Sequence, residues 1–174
     1  MDEAETCREY VRPALETAGW DDETHPILEQ KTFTDGRIVP LKRNKVKRLP
    51  PKRADYLLYY TRDFPIAVVE AKAAYKLPAD GLQQAKNYAE MLGLKFAYAT
   101  NGRGIVEYDC FSGTERELAT FPTPTELWAR LRTGQGLDDD IATKLLTPSF
   151  MGGKQPRYYQ QIAIDETLKA MLKG

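Results

Sequence analysis

A mixed β-sheet flanked by helices, an α/β domain, is the fold class this sequence predicts, and three observations predict it. The chain opens on a segment of helical period, two dense strand candidates lie close together in its middle, and a capped helix separates them from two further strands. Elements alternating in this way call for a sheet with helices packed against it. The 174 residues are enough for one compact domain with its own core. With 42% hydrophobic and 29% charged residues, the composition is that of an ordinary globular protein.

Residues 3–18 read as a helix, because Tyr10, Val11, Ala14, Leu15 and Ala18 recur at helical spacing and Gly19 supplies a stop. Pro13 interrupts the pattern and either kinks the helix or begins its second half. Residues 27–33 and 37–41 read as strands around Asp35-Gly36, a hairpin signal. The segment 42–53 carries seven basic residues and two prolines and reads as a loop. Asp55–Tyr60 is aromatic-rich, and the run from Ile66 to Val69, closing on Lys72, is apolar; both read as strands joined by a short turn. A helix is expected over 79–92, opened by a capping-box-like Asp80–Gln83, with Leu82, Ala85, Ala89 and Leu92 as its buried stripe. Strands follow at Lys95–Thr100 and Ile105–Cys110, separated by the turn residues 101–104, with another turn at Ser112-Gly113. Thr123-Pro124-Thr125-Glu126 is a helix start with a capping box, and 138–146 reads as a short helix. The stretch 148–156 reads as a linker before a last amphipathic helix.

Several function classes fall away early. His25 is the one histidine, which argues against serine–histidine triads, HExxH zinc sites and histidine–metal nucleases. Cys7 and Cys110 form no CxxC pair and read as reduced thiols of a cytoplasmic protein. The longest apolar run is far short of a membrane span, so no membrane partner is expected. Formal net charge is zero, so any nucleic-acid contact must come from a local basic patch.

The candidate site follows from spacing. Glu70 and Lys72, two apart on a strand, project to one face, and a hairpin brings the start of the Asp55 strand beside the end of the next. Two carboxylates and an ammonium group then meet at one sheet end. Asp55 and Glu70, with the Ala71 carbonyl, make a hard oxygen site suited to Mg2+. Lys72 can position a water or stabilise charge developing on a phosphate. A Glu-x-Lys pair at a strand end is more often merely solvated; the partner-strand Asp, the basic segment before it and the helix after it favour chemistry. In that helix Gln84 and Tyr88 are separated by about 40° around the axis, at the edge of the buried stripe.

Asp55, Glu70-Ala71-Lys72 and Gln84-Ala85-Lys86-Asn87-Tyr88 together resemble the D…ExK…QxxxY arrangement of the N-terminal endonuclease domain in the motor (R) subunits of type I restriction enzymes, members of the PD-(D/E)xK nuclease superfamily. The opening segment from Glu3 to Trp20 resembles that family's first helix, and the likeness runs from about residue 3 to 120. Ala54 stands where the motif's name has proline. The resemblance implies a restriction-endonuclease-like core and magnesium-dependent cutting of double-stranded DNA. Catalytic roles would fall to Asp55, Glu70 and Lys72, with Asp55 and Glu70 as metal ligands and Gln84 and Tyr88 supporting the site or touching DNA. It also implies modification (M) and specificity (S) subunits as partners, and an extra acidic residue from the first helix: Glu3, Glu5 or Glu9.

Lys45, Lys47 and Arg48, just before Asp55, are placed to hold phosphates, although a solvated loop is the plainer reading. Gln155 to Ile164 resembles the adenine-reading Q motif of superfamily 2 helicases, which implies nucleotide contacts for Arg157 and Gln160 and ATP as a ligand of the full-length protein. No Walker A sequence accompanies it. The expectation is therefore a nuclease domain over 1–147, followed at 148–174 by a linker and the first helix of an incomplete motor, a fragment that does not cut alone. The competing readings are a non-catalytic DNA-binding or assembly module of the same fold, and a stand-alone nuclease.

Overall fold

A computed structural model describes residues 2–33, 38–41, 45–48, 50–147 and 158–173. Its centre is a six-stranded sheet in the order β1 (Ile27–Phe33), β4 (Lys52–Thr61), β5 (Phe64–Ala71), β6 (Phe96–Thr100), β7 (Ile105–Asp109) and β8 (Thr114–Leu118). All neighbours are antiparallel except β5 and β6. That one parallel pair needs a crossover, and it is made by a 3-10 turn (Pro78–Gly81) running into α3 (Leu82–Leu92). The mixed α/β class is as predicted.

The two sheet faces bury different sets of side chains. Leu57, Val68 and Ala97 meet Ala85, Ala89 and Leu92 of α3. The alternate residues Tyr56, Leu58, Val69, Phe96 and Tyr98 meet the first helical segment, α4 (Pro124–Gln135) and α5 (Asp139–Leu146). This is the period-two alternation of a sheet covered on both sides. Gly93, left-handed at φ 69°, ends α3 as a glycine C-cap does. Thr123 and Glu126 cap α4 reciprocally, as their spacing predicts. The last helix, α6 (Tyr158–Lys173), lies against α3 and α5.

Four expectations need correction, and one strand was not anticipated. The opening helix is three pieces, α1 (Glu3–Thr6), a π-helical turn (Cys7–Val11) and α2 (Arg12–Thr17). Pro13, lacking an N–H, sits in the first turn of the third piece, and the wider turn before it accommodates the ring. Strands 27–33 and 37–41 do not pair with each other: β1 joins β4, and β2 (Ile38–Leu41) pairs with β3 (Lys45–Arg48). The segment 42–53 is therefore not simply a loop; it holds β3 and the start of β4, and Asp55 lies inside its strand rather than opening it. Asp80 does not cap α3 with Gln83; its carboxylate accepts from the Leu77 N–H one turn earlier, at 3.1 Å. Finally, β8 is an exposed polar edge strand whose sequence, Thr-Glu-Arg-Glu-Leu, gives no apolar alternation to detect. The linker at 148–156 lies outside the described residues.

Candidate active site

Asp55 and Glu70 meet on the α3 face of the sheet, on neighbouring central strands. The backbone ladder between β4 and β5 runs up to Tyr56↔Val69 and then gives way to side chains. The Asp55 N–H donates to Glu70 Oε1 at 3.3 Å, and the Ala71 N–H donates to Asp55 Oδ2 at 2.9 Å. The carboxylates thus replace a backbone pairing, which fixes both without an opposing charge. Glu70 is 1% exposed and Asp55 8%. Burial, and then the Asp55 charge, push the Glu70 carboxyl up to about 8, despite the partly opposing Asp55 N–H and Lys72.

Lys72 follows the end of β5. Its ammonium lies 3.3 Å from Gln84 Oε1 and 3.7 Å from Glu3 Oε2. Gln84 donates in turn to the Tyr88 hydroxyl at 3.0 Å. Tyr88 is buried and packs edge-on against Phe33. The relay Lys72–Gln84–Tyr88 is thus anchored in the core at its far end. Gly81 lets the lysine stem pass: a Cβ there would come within 3.3 Å of Lys72 Cε. Of the three first-helix acids, Glu3 reaches the site through Lys72. Glu5 accepts from the Asp2 N–H in a capping box, and Glu9 is exposed.

Sequence reasoning missed Gln30 of β1. Its Nε2 donates to Asp55 Oδ1 at 3.0 Å, so each Asp55 oxygen has a fixed donor. A glutamine inside a polar strand gives no signal in one sequence. Lys45, Lys47 and Arg48 lie on β3. Arg157 is outside the described residues. Gln160 is an exposed residue of α6.

The residues present fit a hard divalent cation. Among the described residues no cluster of three or more His, Cys, Asp or Glu side chains is arranged to hold a metal. Magnesium commonly takes only one or two carboxylates, with water and phosphate oxygens completing its shell. A buried carboxyl held up near 8 beside a second carboxylate is a place where a cation would relieve an unfavourable charge arrangement.

Fold and site together define an α/β domain whose central strands gather two carboxylates and a lysine at one point. Comparison with known proteins goes further. The endonuclease subunit of the type I restriction enzyme EcoAI from Escherichia coli is 34% identical over 184 residues, covering all of this chain and 22% of that subunit. A solved fragment structure, described as an HsdR subunit of a type I restriction enzyme from Vibrio vulnificus YJ016, superposes with a TM-score of 0.87 at 53% identity, covering all of this chain and 33% of that one. No family model matches. The chain is a relative, along its whole length, of type I restriction-enzyme endonuclease (HsdR) subunits, and it spans 22% to 33% of the length of the proteins it matches. Among the described residues no helix is long and apolar enough to cross a membrane.

Proposed function

We propose that this chain is the nuclease domain of a type I restriction subunit, hydrolysing phosphodiester bonds of double-stranded DNA with magnesium. The observation that carries the reading is the convergence of Asp55, Glu70 and Lys72 beside α3, with Lys72 held by the Gln84–Tyr88 relay. Asp55 and Glu70 would hold the ion. When bound, magnesium supplies charge neutralisation at the phosphate and a lowered pKa for the attacking water. Lys72, its stem laid across Gly81, presents a fixed positive charge to the phosphate as negative charge develops there. Gln84 limits the directions that charge can take. The basic residues Lys45, Lys47 and Arg48 hold the backbone of the duplex without reading its bases.

Cutting in the parent enzyme is coupled to ATP-driven translocation by a motor elsewhere in the subunit, in a cytoplasmic complex with modification and specificity subunits. The 148–174 segment leads into that motor, Arg157 and Gln160 contact its nucleotide, and this domain alone does not cut. The test is Asp55→Ala and Lys72→Ala in the full-length subunit with its partners, with cleavage and ATPase measured separately. Cleavage is expected to vanish while ATPase persists. Cleavage surviving both substitutions rejects the reading and favours a non-catalytic DNA-binding module.

A further inference from the structure

Gln30 stands out on two independent grounds. Among the described residues only Asp21 and Gln30 are non-glycine residues with positive φ, 68° and 51°. Asp21 lies in a turn and is a residue type that tolerates this conformation. Gln30 lies inside β1, where the left-handed region is strained for any residue with a Cβ. The second ground is its side chain, which reaches the Asp55 carboxylate at 3.0 Å.

The strain has a visible consequence. The β1–β4 register is continuous on either side, from Ile27↔Leu58 to Glu29↔Tyr56 and from Lys31↔Ala54 to Phe33↔Lys52, with the step between Gln30 and Asp55 left unpaired. Across that step both strands change the face they present. Ile27 packs with Tyr56 and Leu58 on one side of the sheet, while Phe33 and Ala54 pack with α3 on the other. Residues six apart on a regular strand would share a face. A left-handed residue at position 30 turns the strand over, and glycine would do so without strain. A glutamine there is explained by what its side chain does.

We propose that Gln30 is a positioning residue for Asp55, a neutral donor that fixes the carboxylate's orientation toward a divalent cation; this rests on the reading of Asp55 as a metal ligand. With Ala71 N–H on Oδ2 and Gln30 on Oδ1, rotation of the carboxylate is blocked from both sides. A neutral amide orients Asp55 without neutralising it. An ammonium or guanidinium in its place would compete with the cation. Outer-shell donors of this kind commonly change metal affinity by about 10- to 100-fold.

The test uses Mn2+ as the probe, its binding followed by electron paramagnetic resonance, together with thermal melting of the same 174-residue chain. Gln30→Gly relieves the backbone and removes the donor; Gln30→Met keeps the length without the amide. Both variants are expected to weaken Mn2+ binding at least about 10-fold, with Tm unchanged for Met and unchanged or raised for Gly. Weaker binding without loss of stability is a pattern that a merely structural residue would not give. Unaltered Mn2+ affinity in both variants overturns the proposal while leaving the metal site standing. Failure of the unaltered chain to bind Mn2+ in a manner abolished by Asp55→Ala overturns the metal site and the proposal with it.

Discussion

Binding of a divalent cation at Asp55 and Glu70 should expel a proton, and the amount can be worked from the site. Glu70 is buried beside Asp55 with its carboxyl pushed up to about 8, so at pH 7 about nine-tenths of the metal-free chains carry a proton there. A metal ligand must be deprotonated, so Mn2+ binding releases about 0.9 proton at pH 7 and almost none above about pH 9. Isothermal titration calorimetry in two buffers of different ionisation enthalpy reads this number directly. Below pH 7 the apparent affinity should fall about tenfold per pH unit. Stability follows with a definite sign. Because the folded value is raised, the contribution of Glu70 is intact below its ordinary value of 4.5 and is lost as pH rises toward about 8, by at most about 5 kcal/mol. Saturating Mn2+ should therefore raise Tm more near about pH 8.5 than near about pH 6. Glu70→Gln should abolish both the proton release and the alkaline loss. Proton release near zero at pH 7, with Mn2+ bound, would refute the burial argument.

Other outcomes follow from the rest of the molecule. Arg130→Ala strands Glu107, a fully buried carboxylate that Arg130 holds through two bonds of 2.8 and 2.9 Å; it should cost about 3–5 kcal/mol by urea denaturation. Arg116→Ala removes a half-exposed partner of the same carboxylate and should cost less than about 1 kcal/mol. Burial opposes ionisation of Glu107, but Arg130, Tyr98 and Arg116 together lower its pKa. Its contribution to stability is therefore present above the ordinary carboxylate range and lost as pH falls through the lowered value, which an acid series of melts on Arg130→Ala and the parent chain will detect as a difference that shrinks toward low pH. Neutralising Lys45, Lys47 and Arg48 in the full-length subunit should reduce the slope of log binding constant against log salt by up to about 3, measured by fluorescence anisotropy on duplex DNA.

The central strands and α3 were legible in the sequence because their apolar patterns are dense. Ile66–Val69 and the stripe Leu82, Ala85, Ala89 and Leu92 are buried where period and composition put them. The meeting of Asp55 and Glu70 was legible too, since a two-residue turn at Arg62-Asp63 fixes which ends of β4 and β5 coincide. Pairing partners were not. Asp35-Gly36 suggests a local hairpin, whereas β1 gains more by joining β4, with its run of buried residues from Ala54 to Leu58. Glu3 could not be chosen over Glu5 and Glu9, because the sequence does not signal the π turn that holds Glu9 or the engagement of Glu5 at the Asp2 cap. Gln30 could not be found at all, since its role depends on a backbone angle.

Two buried glutamates separate architecture from chemistry within this one domain. Glu107 has both oxygens engaged by guanidinium groups and a tyrosine hydroxyl: Arg130 bonds both, Arg116 adds 2.7 Å and Tyr98 adds 2.6 Å. That is complete compensation for a buried charge, and it ties α4 to the sheet. Glu70 is buried as deeply, yet its neighbours are another carboxylate, one backbone N–H and a lysine that is itself turned toward Gln84 and Glu3. Three departures from regular structure meet at this point: an interrupted ladder on both sides of Asp55, a left-handed glutamine, and two buried acids side by side. β4 also shifts register near its hairpin, between Leu58 and Thr61, but beside Asp55 the lost pairing falls on buried acids, as at functional sites. The under-compensated carboxylate, not merely the buried one, is what supports the proposal of an ion and a phosphate at this point.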